Sequence, residues 1–265
     1  MRPMDRPAPP APSVLAPGYG FGGLFVAAAV LLAVAARQHP GASPLLLWAA
    51  ASFAVVAAAY LMRRPGWLGK RPDGTRSPVA TLLLAPYLAY TTIAWHAMRL
   101  LSHERPIDAI TPTLSVSRRL LGRERPQGVD RVVDLTCEFV EPAALRGPGY
   151  VHHPILDGFT VAVEDLHRWA GQAAGRPGVT LVHCAQGHGR TGLFAAAVLL
   201  VDGTVRTADE AVALLRRRRP GIRLRRRQLA TLRQLEQRLA YSVPDRPGGS
   251  TQREPASAAS SQGPR

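Results

Sequence analysis

Cysteine is scarce in this chain: Cys137 and Cys184 are the only two in 265 residues. Two thiols are too few for a disulfide framework or a four-thiolate zinc site, which leaves a reduced thiol, either reactive or simply buried. Lysine is scarcer still, with Lys70 alone. Acidic residues number 18 against 33 basic ones, so the excess of +15 is almost all arginine. Such a balance calls for an anionic partner, and phosphate esters, anionic lipid and nucleic acid all qualify. Aromatic residues make up only 6% of the chain, and none is interleaved with the arginine runs for base stacking, which argues against nucleic acid.

What is plentiful is apolar, and it is unevenly spread. The apolar fraction is 46% and the mean hydropathy −0.01, but the first hundred residues are far more apolar than the rest. Met1 to Pro17, rich in proline and arginine, reads as a disordered tail, and 18–102 reads as a membrane region. Tyr19 to Ala36 is uncharged and long enough to cross a bilayer. Ala33-Val34-Ala35 also resembles a signal-peptide cleavage site, but a second run, Ala42 to Met62, follows almost at once. The pair reads as a hairpin of two spans, about 19–36 and 42–62. The loop after it carries Arg63, Arg64, Lys70, Arg71 and Arg76 against Asp73, which makes it cytoplasmic by the positive-inside rule. A third apolar stretch, about 79–101, is interrupted by Pro86 and holds His96 and Arg99 near its end. If it spans, the remainder of the chain lies outside; if it is interfacial or re-entrant, the remainder stays in the cytoplasm. Arg99, Arg105, Arg118 and Arg119 oppose translocation, and a free thiol keeps best in a reducing compartment. The expectation is therefore a multi-pass protein of the plasma (inner) membrane, with two spans, one interfacial or re-entrant helix and a cytoplasmic domain.

Residues 103–243 read as one α/β domain. Strands are expected at Arg131 to Phe139, at Tyr150 to Leu156 and at Val179 to His183. Helices are expected at Val161 to Ala174, Thr191 to Val201 and Gln228 to Tyr241, and Thr207 with Glu210 forms a capping box that opens another. The alternation predicts a mostly parallel central sheet flanked by helices. Residues 244–265 read as a second disordered tail.

The chemistry is concentrated in Val182 to Gly192, VHCAQGHGRTG. A strand delivers Cys184 to a loop that Gly187 and Gly189 allow to curl, Arg190 closes it, and a helix follows. Inward-pointing amides of Ala185, Gln186, Gly187, His188 and Gly189 with a helix N-terminus make an anion nest, and the arginine fork binds two phosphate oxygens. The same field lowers a cysteine pKa from near 8.5 to roughly 3.5–7.5 and produces a thiolate nucleophile. Thr191 is positioned to donate to the sulfur, and His183 to orient the loop. The departing oxygen needs a general acid. Asp157, in the turn Asp157-Gly158 that lies 27 residues before Cys184, is the candidate. Asp134 lies within an apolar strand, and Glu138, Glu164 and Asp165 are expected on solvated faces.

His183-Cys184-x5-Arg190-Thr191-Gly192 resembles the signature of the protein tyrosine phosphatase superfamily, and GHGRTG with the small domain is similar to its dual-specificity branch. VVDLTCEF, HHPILDG and the arginine-rich Arg216 to Leu229 resemble further elements of that branch, so the resemblance runs over about Ile110 to Ala240. It implies an α/β fold, a phosphocysteine mechanism without metal or cofactor, and the roles given to Cys184, Arg190, Asp157 and Thr191. The membrane hairpin departs from soluble members. The substrate it implies is a phosphotyrosine or phosphoserine protein, or a phospholipid head group. The alternative is a non-catalytic adaptor that binds phosphate or anionic lipid. Cys137 reads as a core thiol, with a backup disulfide to Cys184 as the rival reading. His188 is weighed as a tuner of substrate choice against a solvent-facing loop residue. His152 and His153 read as strand residues, since no matching Cys or His spacing supports zinc. Eight arginines in twelve positions (Arg216 to Arg219, Arg223, Arg225 to Arg227) read as a solvated helix face or an attraction for anionic lipid.

Overall fold

The computed structural model describes residues 18–242. The tails expected at 1–17 and 244–265 lie outside them. Alanine and leucine without charge form α1, Gly18–Gln38, and α2, Ser43–Leu61, an antiparallel pair joined by a tight turn at Pro40–Ala42. Both helices are long and apolar enough to cross a membrane. Leu24, Val30 and Leu31 of α1 and Leu45 and Leu47 of α2 are exposed, so the pair is not the wrapped core of a soluble domain. Phe25 packs edge-on to Tyr60 and Tyr87, and Tyr60 lies 5.8 Å from the ring of Phe159 in the domain below.

The third apolar stretch is two helices. Pro86 supplies no N–H, and the run breaks at Leu84 into α3, Pro78–Leu83, and α4, Ala85–Leu101. The break lies well up along α2: Trp48 Nε1 donates to Leu82 O at 3.1 Å, and Tyr87 N donates to Ser52 Oγ at 3.3 Å. Both outer ends return to the same domain. Before α3, Lys70 pairs with Asp134, and Arg76 donates to Cys137 O at 3.1 Å. At the far end of α4, Trp95 Nε1 donates to Ala185 O at 3.0 Å, and Arg99 grips Glu124 with two bonds of 2.8 and 3.0 Å. The hairpin α3–α4 thus leaves the domain and comes back to it. The loop read from sequence as merely basic is in fact docked, with Lys70 and Arg76 both buried.

The domain is built on β1, Ile107–Ala109, β2, Leu114–Arg118, β3, Arg131–Asp134, β4, Tyr150–His152, and β5, Thr180–Cys184. The order is β1-β2-β5-β3-β4, antiparallel only between β1 and β2. The sheet is mostly parallel, as expected, and β5 matches its expected run within one residue, but β3 and β4 are shorter than the apolar runs that hold them. β3 stops at Asp134 because that side chain turns to accept from Thr136 N at 2.8 Å, and β4 stops before Pro154. β1 and β2 were not anticipated. Central β5 places Val182 beside Val116 and Val133, and all three are buried in one core that also holds the apolar residues of α6. Helix α5, Val163–Ala174, α6, Gly189–Val201, α7, Ala208–Arg218, and α8, Arg226–Ser242, complete the layer. Helix α6 is buried from Arg190 to Leu200, and the helices α5, α7 and α8 pack around it. The Thr207–Glu210 capping box is formed, with Glu210 N donating to Thr207 Oγ1 at 3.2 Å.

Candidate active site

The loop between β5 and α6 takes its shape from groups that hold its carbonyls from outside. Ala185 O accepts from Trp95 Nε1 and from Arg119 N at 3.1 Å. Gly187 O and Gln186 O accept from Arg219 Nε and Nη2 at 3.0 and 3.2 Å. Arg219 is buried and is itself fixed by Asp108 at 2.8 Å and Arg105 O at 2.9 Å. With its carbonyl tied outward, Gly187 turns its N–H toward Cys184 and donates to Sγ at 3.3 Å. Gly187 sits at φ +74°, and a Cβ there would meet Ser117 O at 2.5 Å, so no other residue fits. His188 pairs with Glu104 at 2.7 Å, and Glu104 reaches Arg219 at 3.1 Å. His188 therefore belongs to the external brace rather than to free solvent.

Arg190 is held end-on by Glu138, with Nη1 to Oε2 at 3.0 Å and Nη2 to Oε1 at 2.7 Å, and Nη1 also donates to Ile155 O at 2.9 Å. Burial opposes its charge, but Glu138 foremost, then Asp157 and Cys184, keep it firmly cationic. Burial likewise opposes ionisation of Glu138, and Arg190 outweighs it, so the pair is a true ion pair. The end-on grip leaves Nε, which has no hydrogen-bond partner among the described residues, and the second hydrogen on Nη2. These two form the side-on fork that matches a phosphate. Asp157 Oδ1 lies 3.3 Å from Nη2, and its side chain is half exposed. The turn bearing it is pinned by Gln228, whose Nε2 donates to Phe159 O at 2.9 Å.

Behind the loop lies a buried polar cluster. Asp134 receives Lys70, Tyr150 Oη at 2.8 Å and Thr136 Oγ1 at 2.8 Å. Burial works against its ionisation, but His183 and Lys70 hold its pKa well below the usual carboxylate range. Burial drives His183 down to about 4 and, with Asp134 beside it, Glu141 up to about 9, so both are neutral near pH 7. His183 Nε2 stands 3.5 Å from Glu141. Asp134, Glu141 and His183 bring donor atoms within 4.8 Å of one another, and the Lys70 ammonium already pairs with this group.

One cavity of about 560 Å³ is lined by Cys184, Arg190 and Asp157 together with Ala185, Gln186, His188 and Gly189. Thr191 is buried, its hydroxyl without a hydrogen-bond partner among the described residues, and His183 sits behind the loop. Glu164 and Asp165 are solvated as expected. Glu138 is not: it is buried under Arg190, a correction that follows from the chain turning inward after β3. Cys137 is a free, buried thiol, pushed up in pKa by burial and by Glu138. His152 bonds Thr136 O at 2.9 Å, and His153 stacks on Trp169 at 4.2 Å. The arginine run divides: Arg219 is a buried brace, Arg216 bonds Ile222 O at 3.1 Å, and Arg223 and Arg225 line the cavity. Sequence reasoning missed Glu138, Arg219, Trp95, Lys70 and Gln228. Only the solitary lysine stood out, as the one exception in an arginine-rich chain.

A cysteine at the end of a central strand, five loop residues closed by an arginine and a following helix together form a cradle with the chemistry to receive an anion on an α/β scaffold. No family model and no curated protein matches the chain. Among solved structures it is similar to human DUSP28, at 18% identity and TM-score 0.45, covering 52% of this chain and 97% of that one. It is similar to Tk-PTP in the active form, at 29% identity and TM-score 0.45, covering 50% and 97%. It is also similar to PTPMT1 in complex with PI(5)P, at 18% identity and TM-score 0.47, covering 52% and 98%.

Proposed function

We propose that the protein is a membrane-anchored, cysteine-dependent phosphatase that hydrolyses phosphate monoesters, on a phosphorylated protein or a phospholipid, through a phosphocysteine intermediate. The observation that carries this reading is the convergence of Cys184, the side-on fork of Arg190 and Asp157 on one cavity. The substrate phosphate lies in the loop amides with two oxygens on Nε and Nη2 of Arg190. The Cys184 thiolate attacks phosphorus, the bond to the leaving oxygen breaks, and Asp157 gives that oxygen its proton. Water then attacks the phosphocysteine, Asp157 takes a proton back, and the P–S bond breaks to release phosphate. Thr191 donates to the departing sulfur, and Glu138 keeps the guanidinium from turning.

The anchor is α1–α2, crossing the bilayer with the turn Pro40–Ala42 at the far end. The re-entrant α3–α4 pair leaves the basic loop and the catalytic domain on one side. The arginines of that loop make it the cytoplasmic side of the plasma membrane.

The test uses the full chain in nanodiscs with no added metal. An aryl phosphate should be turned over, Cys184→Ser should abolish this, and Asp157→Asn should slow it by about 10²–10⁴. Rapid acid quench with labelled substrate should trap a phosphoenzyme that Cys184→Ser lacks. Turnover that persists in Cys184→Ser would rule out the cysteine mechanism, and a folded protein that binds phosphate without turnover would be an adaptor.

A further inference from the structure

The cavity over Cys184 has two unlike sides. Its floor is the phosphate-binding loop, with Arg223 and Arg225 exposed at the rim. Its opposite wall is contributed by the membrane region: Phe21, Leu24 and Phe25 of α1, Tyr60 of α2, and Tyr90 and Met98 of α4. Leu24, Tyr90 and Met98 are each about half exposed, so this wall is open outward. It continues onto exposed Val30 and Leu31 of α1 and Ile93 of α4, and no charged residue interrupts α1 from Tyr19 to Ala36. The two sides meet where the Arg225 guanidinium lies 5.4 Å above the Phe21 ring, against Gly158 of the Asp157 turn.

A ligand matching both sides needs a terminal phosphate at one end and, within one residue's length, a long apolar body. A peptide brings backbone N–H and C=O groups that this wall cannot satisfy. A phospholipid brings none along its chains. Resting on the phosphatase reading above, we propose that the substrate is a membrane phospholipid with a terminal phosphate monoester. It slides sideways from the leaflet with its phosphate in the Cys184 loop and its acyl chains along the α1–α4 wall. The cavity is too small for a whole lipid, so the chain ends stay in the bilayer. Arg225 sits at head-group level, its charge toward the phosphate and its plane on Phe21.

The full chain in mixed micelles is given dioleoyl phosphatidic acid, glycerol 3-phosphate, a phosphotyrosine peptide and an aryl phosphate. The expected result is a kcat/KM for the dioleoyl lipid well above those for glycerol 3-phosphate and the peptide. The double variant Leu24→Gln/Met98→Gln should lower the ratio of dioleoyl lipid to glycerol 3-phosphate by roughly tenfold, the scale of losing a methylene-sized apolar contact. Equal use of the lipid and glycerol 3-phosphate, preference for the peptide, or an unchanged ratio in the variant would each overturn the proposal while leaving the phosphatase reading intact. Failure to hydrolyse even the aryl phosphate would remove the phosphatase reading and this proposal with it.

Discussion

At Gly187 a single hydrogen atom decides the loop. The backbone is left-handed there, and the space a Cβ needs is filled by Ser117 O. Gly187→Ala should lower stability by about 1–3 kcal/mol, the cost of forcing an unfavourable backbone region, and should depress kcat through the displaced amide. A thermal melt and steady-state kinetics check this; an unaltered melting temperature with full activity would mean the loop tolerates the side chain. Arg219 acts one step further out, since it touches only loop carbonyls and their supports. Arg219→Met should raise KM for an aryl phosphate more than it changes the melting temperature of the whole protein. Arg219→Lys should recover little, because an ammonium cannot serve four acceptors in one plane.

At the scale of elements, the loop before α3 is what ties the apolar helices to the α/β domain. Lys70 and Asp134 are both fully buried, and each is the other's compensating charge. Removing one partner of such a pair costs about 3–5 kcal/mol, whereas removing both is far milder. Lys70→Met is therefore expected to destabilise strongly, and adding Asp134→Asn should restore much of the loss. A double-mutant cycle by denaturant titration measures the coupling, and additive effects would show that the pair is not a tie. The consequence for experiments is concrete. A fragment starting at residue 103, where composition places the domain boundary, lacks Lys70, Arg76 and Trp95, each of which bonds the α/β domain.

At the scale of the whole molecule, the buried cluster sets a pH response. The folded-state pKa of Glu141 is raised from 4.5 to about 9, so its stabilising contribution is complete below pH 4.5 and is lost as pH climbs toward 9. His183 acts from the other side: its pKa is lowered from 6.5 to about 4, so its contribution is lost as pH falls from 6.5 to 4. Glu141→Gln keeps the neutral form, so its advantage in melting temperature over the parent should grow between pH 5 and pH 8. A pH-independent difference would contradict the assignment. Topology is testable in the Cys184→Ser background, where the remaining thiol, Cys137, is buried. An impermeant maleimide should label Gly41→Cys on intact cells and Asp73→Cys only after lysis; both positions are exposed. Labelling of Asp73→Cys on intact cells would invert the orientation.

The grouping of Cys184, Arg190 and the loop glycines and the two apolar runs were legible in the sequence, because each depends on residue types at short, fixed spacing. So was the mostly parallel character of the sheet, since β3, β4 and β5 lie in short apolar runs set between helical periods, whereas β1 and β2 carry no such run. The partner of Arg190 was not legible. Glu138 lies 52 residues away in the chain and looks like any surface acid until the strand before it turns inward. Nor was the role of Arg219, one of eight similar arginines, of which tertiary packing buries this one against loop carbonyls 32 and 33 residues upstream. The third apolar stretch shows the division most plainly. Composition alone allowed it to span or to return, and only the tertiary structure brings both of its ends, through Lys70 with Asp134 and Trp95 with Ala185, against one domain.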